Sequence, residues 1–229
     1  LSLEIIPFFW RLSMPAQLTR RQFLLRAAAG LGAAVLVCGG TSILATIAPP
    51  FALIETDTQT GAAPMNEKVL VAYATRCGST MDVARAIAGE FEKNGKSVDL
   101  RAIKNVNSLQ GYSAVVLGSA IRMGNWVPDA LKFVEARQTE LSMLPTAIFS
   151  VHMNNLGEDE TSKTARAGYH NAVRKLIKPV SEVWFAGVIA IDKMSFLDRL
   201  ITKAMKISNE DKRDWTVIRG WGKTLCAEI

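Results

Sequence analysis

Cysteine and histidine are both scarce in this chain of 229 residues, and their placement argues against two kinds of chemistry. Cys38, Cys77 and Cys226 are an odd number at wide, unrelated spacings, so a disulfide framework is not expected. No paired CxxC occurs, and His152 and His170 stand too far apart to suggest a zinc site, so no metal is expected. Charge is missing altogether from one stretch: not one Asp, Glu, Lys or Arg lies between Ala27 and Ile54. That run, rich in Ala, Gly, Leu and Val, exceeds the roughly 20 residues needed to cross a bilayer core. It accounts for much of the apolar surplus in a chain that is 49% hydrophobic and 21% charged.

Ahead of the apolar run stands Thr19-Arg20-Arg21-Gln22-Phe23-Leu24, followed by Arg26. Two adjacent arginines, a hydrophobic pair and a mild Gly/Ala-rich stretch resemble a twin-arginine export signal. That route moves folded proteins, which suits a domain that must first take up a cofactor. Residues 1–54 are therefore read as a leader, an N-terminal signal or anchor that makes the protein membrane-associated. No small-x-small cleavage site follows, which favours an uncleaved anchor over a removed signal. Met14 heads a conventional signal-like segment and is the expected natural start, the first thirteen residues coming from an over-extended reading frame. Cys38 follows Val37, where lipid attachment would want a small residue, so it is read as an inert buried thiol. Residues 55–66, with Thr, Gly, Ala and Pro, read as a linker, and residues 67–229 as the folded domain.

The net charge is +6, and residues 1–65 hold only four of the bases and three of the acids, so the remainder keeps a surplus of five bases. A basic surface favours an anionic membrane or a carboxylated substrate, or is merely solvated; nucleic acid is not expected as a partner.

Within the domain, residues 68–73 (KVLVAY) form a nearly continuous apolar run, the pattern of a strand buried on both faces of a parallel sheet. Residues 79–94 follow with helical periodicity through Val83, Ala84, Ile87, Ala88 and Phe91, and Gly95 stops them. Further strands are expected at 97–102, 114–118, 146–151 and 183–190, with helices at 128–137 and in the second half of 157–178. Alternation of this kind indicates an α/β doubly wound five-stranded parallel sheet in the order 2-1-3-4-5. Its ligand crevice lies at the carboxyl ends of the strands, where the winding reverses.

Three loops should line that crevice. The first, Thr75-Arg76-Cys77-Gly78-Ser79-Thr80, has hydroxyls at both ends, a glycine inside and a helix N-terminus behind it. Oriented backbone N–H groups can hold a phosphate monoester there without lysine or metal. The loop lacks the GK[ST] ending of nucleotide hydrolases and is not GxGxxG, which turns it away from both classes. It resembles the FMN phosphate loop of the flavodoxin family, which implies FMN as cofactor.

The second loop runs from Gly118 through Ser119, Ala120, Ile121, Arg122, Met123, Gly124 and Asn125 to Trp126. In flavodoxins this loop packs against the isoalloxazine ring. Trp126 would either stack on that ring or plug the start of the next helix. Arg122 is either a surface charge or a cation tuning the flavin potential. The third loop comprises Ser150, Val151, His152, Met153, Asn154 and Asn155, with backbone and amide groups for the flavin rim. His152 is either structural or a proton relay.

The match narrows further. Gly118-Ser119-Ala120-Ile121-Arg122, the loop Thr75–Thr80 after Ala74, and Leu197-Asp198-Arg199 resemble segments of flavodoxin-like, quinone-dependent protoporphyrinogen IX oxidases. Ala74 and Leu197 depart from that family's usual serine and aromatic. The resemblance covers most of the chain from Lys68 onward and implies porphyrinogen dehydrogenation, with electrons passed to a quinone such as menaquinone. A membrane-tethered, non-enzymatic electron carrier working with a redox protein partner is the alternative, and a binding module that has lost its flavin a third. Residues 196–207 carry an apolar stripe (Leu197, Leu200, Ile201, Ala204, Met205) opposite Arg199, Lys203 and Lys206. Such a helix either rests on an anionic membrane or covers one face of the sheet.

Overall fold

Short apolar runs rich in valine form the centre of the fold because a strand buried on both faces has no polar side to offer. The computed structural model describes residues 57–60, 68–194, 199–200, 202 and 208–229, all within the unit Ala48–Ile229. The expected leader therefore lies outside the described residues, as does most of the stripe at 196–207.

In chain order the elements are β1 (Thr58–Thr60), β2 (Lys68–Ala74), α1 (Ser79–Lys93), β3 (Ser97–Ala102), β4 (Tyr112–Arg122), β5 (Asn125–Trp126), α2 (Pro128–Ala136), α3 (Gln138–Ser142) and β6 (Thr146–His152). There follow α4 (Glu160–Gly168), α5 (Asn171–Arg174), β7 (Ser181–Ala186), β8 (Val188–Ile189), β9 (Glu210–Asp211) and α6 (Trp215–Glu228). Five strands run parallel, hydrogen-bonded in the order β3-β2-β4-β6-β7.

Two strands enlarge this sheet beyond the five expected. β1 pairs antiparallel with β3, so the stretch read as a linker supplies an edge strand. Asp57 secures it by accepting from Ala102 N–H (3.0 Å) and Asn105 Nδ2 (2.8 Å). β5 pairs antiparallel with the end of β4, Ile121 opposite Trp126 and Arg122 opposite Asn125. β4 is correspondingly longer than the expected 114–118, because pairing with β6 and β5 holds Ser119 to Arg122 extended despite their loop-like composition. The expected fifth strand at 183–190 divides at Gly187: β7 stays in the main sheet, while β8 leaves it to pair with β9.

Helices cover both faces. On one, α1 buries Val83, Ala84, Ile87, Ala88 and Phe91 beside Ile218 and Leu225 of α6. The helix α1 ends where Gly95 adopts φ +78: Lys96 N–H reaches Phe91 C=O and Gly95 N–H reaches Glu92 C=O, the paired bonds of a Schellman stop. On the other face, Ala130, Phe133 and Val134 of α2 and Val173 of α5 pack on Leu70, Leu117 and Ile148. Among the described residues no helix is long and apolar enough to cross a membrane.

Gly118 is the tightest point of the sheet. A Cβ placed there would lie 2.0 Å from Phe149 Cζ, and that ring is held by Phe185 and Trp221, with centroids 6.1 and 6.3 Å away. Gly118→Ala is expected to cost about 2–3 kcal/mol by overpacking, read as a lowered urea midpoint with unchanged slope.

Candidate functional site

Parallel strands bring their carboxyl ends to one side, and there the loops after β2, β4, β6 and β7 converge on a cavity of about 280 Å³. Nine of the residues singled out from sequence line it: Arg76, Cys77 and Ser79; Ala120, Ile121 and Arg122; Val151, His152 and Asn154. Met153, Gly187, Val188, Met194 and Thr202 complete the wall. Of these five, Met153 alone lies in a loop read from sequence as part of the crevice. The others come from the excursion after β7, where no composition signal set them apart from the strand and helix around them.

The loop after β2 closes on itself and runs directly into α1. Thr75 Oγ1 accepts from Gly78 N–H (3.0 Å), closing the turn. Gly78, at φ 90, precedes the first residue of α1 and offers no side-chain cap to its N–H groups. Thr80 is fully buried in the first turn, and its Oγ1 has no hydrogen-bond partner among the described residues. A buried hydroxyl left unpaired costs about 1–3 kcal/mol. Uncapped helix donors beside an orphaned hydroxyl fit a phosphate group. Asp82, in the same turn, would oppose an anion, but Arg213 Nη1 (2.9 Å) and Arg85 Nη1 (3.3 Å) pair with it.

The second loop is a hairpin tip. Met123 (φ 51) and Gly124 (φ 77) are its two central residues, both left-handed as a two-residue hairpin turn requires. Gly124 sits at this tip, outside the cavity lining, and Met123 is 92% exposed. Ser119 is fully buried: it donates to Ala120 C=O (2.9 Å) and accepts from Val127 N–H (3.1 Å), fixing the hairpin from beneath. Trp126 is buried too, so of its two readings the structure takes the plug: its indole Nε1 donates to Ser150 Oγ (2.8 Å).

Ser150 does not reach the cavity either; it belongs to a buried relay. Its hydroxyl lies 2.6 Å from His170 Nε2, and His170 Nδ1 lies 2.8 Å from Glu182 Oε2. Arg174 Nε donates to both Glu182 oxygens (3.1 and 3.0 Å). A carboxylate only accepts, so the His170 proton sits on Nδ1 and Nε2 accepts from Ser150. Burial pushes His170 down to about 4, against the opposing pull of Glu182. Burial alone would raise Glu182, but its bonds from Arg174 and His170 outweigh that and hold it below the usual carboxylate value.

His152 is buried at the end of β6, its Nδ1–H donating to Asn154 C=O (2.7 Å). Burial lowers its pKa, and Arg166 adds to this against the Asn154 bond, so the imidazole is neutral at pH 7 with Nε2 as its basic nitrogen. Tyr169 packs edge-on to it at 5.3 Å.

A doubly wound sheet with an uncapped phosphate loop and two apolar-walled loops beside it defines a flavin mononucleotide fold. The chain belongs to the flavodoxin family: the family profile described as "Flavodoxin domain" matches residues 70–216. FMN is accordingly its cofactor. The chain is 28% identical over 184 residues to a "Protoporphyrinogen IX dehydrogenase [quinone]" of Leishmania major, spanning 72% of this chain and 77% of the relative. It is 27% identical over 160 residues to a protein of the same description in Escherichia coli K12, spanning 67% and 88%. Among solved structures, oxidised flavodoxin 2 from Bacillus cereus matches at TM-score 0.48 and 16% identity, over 71% of this chain and 99% of that one.

Two outcomes are expected. Thr80→Val should weaken FMN binding about tenfold while leaving riboflavin binding unchanged, measured by fluorescence titration of the two flavins. For pH, a histidine depressed in the fold binds more protons when unfolded, so its contribution is complete above pH 6.5 and is lost toward about pH 4. Urea unfolding across that window should show a loss of about 3 kcal/mol, and a shallower decline in His170→Gln.

Proposed function

We propose that this protein is an FMN-dependent oxidoreductase that removes hydrogens from a porphyrinogen and passes electrons to a membrane quinone. The observation that carries this reading is the likeness to the two dehydrogenases across most of their own length. Bound FMN supplies the two-electron redox chemistry, and the protein supplies binding, orientation and electrostatics. The loop from Thr75 to Thr80 would hold the phosphate through its helix donors and the Thr80 hydroxyl. Ala120, Ile121 and Val151, in the cavity wall, would exclude water from the ring, and Arg122 in the same wall would supply a positive charge to it. His152 shapes the third loop through its bond to Asn154 and presents a neutral imidazole to the cavity wall. Met153, Val188 and Met194 offer the adaptable apolar surface that a large flat substrate or a quinone ring needs.

Membrane association is part of the same proposal. The uncharged run 27–54 and the paired Arg20-Arg21 support an anchored or exported protein. A quinone held in the bilayer would then be within reach of the tethered domain, and the basic surplus suits an anionic surface.

The full chain should purify yellow, release FMN on denaturation, and oxidise protoporphyrinogen only when quinone is supplied. Reduced protein that ignores quinone and gives up electrons only to a protein partner would favour a carrier instead. Absence of flavin after reconstitution would remove both readings. In fractionated cells the full chain should sediment with membranes, and a chain starting at residue 55 should not.

A further inference from the structure

We infer that the buried relay Trp126–Ser150–His170–Glu182 holds the end of the β4–β5 hairpin in place against the turn after β6 beside the flavin ring, with His170 as its positioning residue. This rests on the FMN reading above. Trp126 stands on β5, Ser150 on β6, His170 in the turn between α4 and α5, and Glu182 on β7, and of these β6 and β7 lead directly into the cavity wall. Trp126 is the β5 partner of Ile121, which lines the cavity. Ser150 immediately precedes Val151 and His152, which line it one strand over, on β6. His170 follows Tyr169, whose hydroxyl accepts from Asn155 Nδ2 (2.7 Å) and donates to Asn154 C=O (3.3 Å). Glu182 anchors the far end on β7, and the Trp184 ring stacks on His170 at 4.8 Å and 20°.

The relay has one possible direction. An indole N–H only donates and a carboxylate only accepts, so Ser150 and His170 are each confined to a single donor and a single acceptor role. Satisfied buried networks of this kind rigidify and specify a unique arrangement. As a stability device it is a poor choice, since well-packed apolar side chains of similar volume serve as well or better than buried polar groups. The β4–β6 ladder already fixes Ala120 against Val151; what the relay adds beyond that pairing is a fixed placement of the hairpin end at 121–126 against the turn at 152–155. No side chain of the relay itself lines the cavity, so His170 acts through the loops and not by contact with the ring.

The test compares His170→Phe, Ser150→Ala and His170→Gln in the full chain, reading the affinities for FMN and riboflavin, the visible circular dichroism of bound FMN, and its midpoint potential. His170→Phe and Ser150→Ala should weaken FMN and riboflavin by the same factor, about tenfold, and alter the dichroism and potential. His170→Gln, which can both accept from Ser150 and donate to Glu182, should restore them toward the wild-type values. Unaltered affinity, dichroism and potential, with only a lower melting temperature, would reduce His170 to a scaffold residue and overturn the inference. A loss for FMN without one for riboflavin would also overturn it, placing the effect at the phosphate loop. If His170→Phe does not fold, Ser150→Ala decides by the same readings. A wild-type chain that binds no flavin would instead defeat the functional reading on which this rests.

Discussion

Because β2 is hydrogen-bonded on both edges, to β3 on one side and β4 on the other, the chain leaving it at Ala74 emerges at the interior of the sheet and not at its rim. Everything at the site follows from that confinement. The turn must reverse quickly into α1, whose first N–H groups receive no side-chain cap from Gly78. The fold accepts an unpaired buried hydroxyl at Thr80 in the same place. A buried hydroxyl without a partner among the described residues calls for an explanation, and a phosphate at this helix N-terminus supplies one.

The charges of the first turn of α1 are paired to suit an anion. Asp82 belongs to α1's first turn, where a carboxylate suits the helix dipole but competes with an anionic ligand. Arg213 settles the conflict from the C-terminal side of the chain, bridging Asp82 and Asp211 while its guanidinium lies over Trp215 at 4.6 Å. The same arginine therefore ties β9, and with it the excursion that contributes Val188 and Met194 to the cavity, to the helix that carries the phosphate loop.

The parts legible in the sequence are those governed by short-range periodicity. The apolar run of β2, the helical stripe of α1 and the hydroxyl-glycine loop between them depend on residues a few places apart. The edge strand at Thr58–Thr60 and the two-residue β5 escape notice because so few residues carry no period, and their extended form comes from the partner strand. Ser119 and Ser150 read as loop residues facing a ligand, and Trp126 as either a partner of the ring or a plug, yet all three are buried in the protein. For Trp126 and Ser150 the reason lies in His170 and Glu182, which are 20 residues from Ser150 and 12 from His170 respectively and show no mutual pattern in the chain. Tertiary packing alone makes them one network.

The antiparallel course of β1 has a practical side. Thr58 stands opposite Leu100 and Asp57 binds Ala102, so the chain enters the domain at the cavity end of the sheet. Ile229 lies by Lys96, just ahead of β3, at the opposite end. An affinity tag or fluorescent reporter fused after Ile229 will therefore stand at the end of the sheet away from the cavity, whereas one joined directly ahead of Asp57 will share the cavity's end, out on the β1 edge.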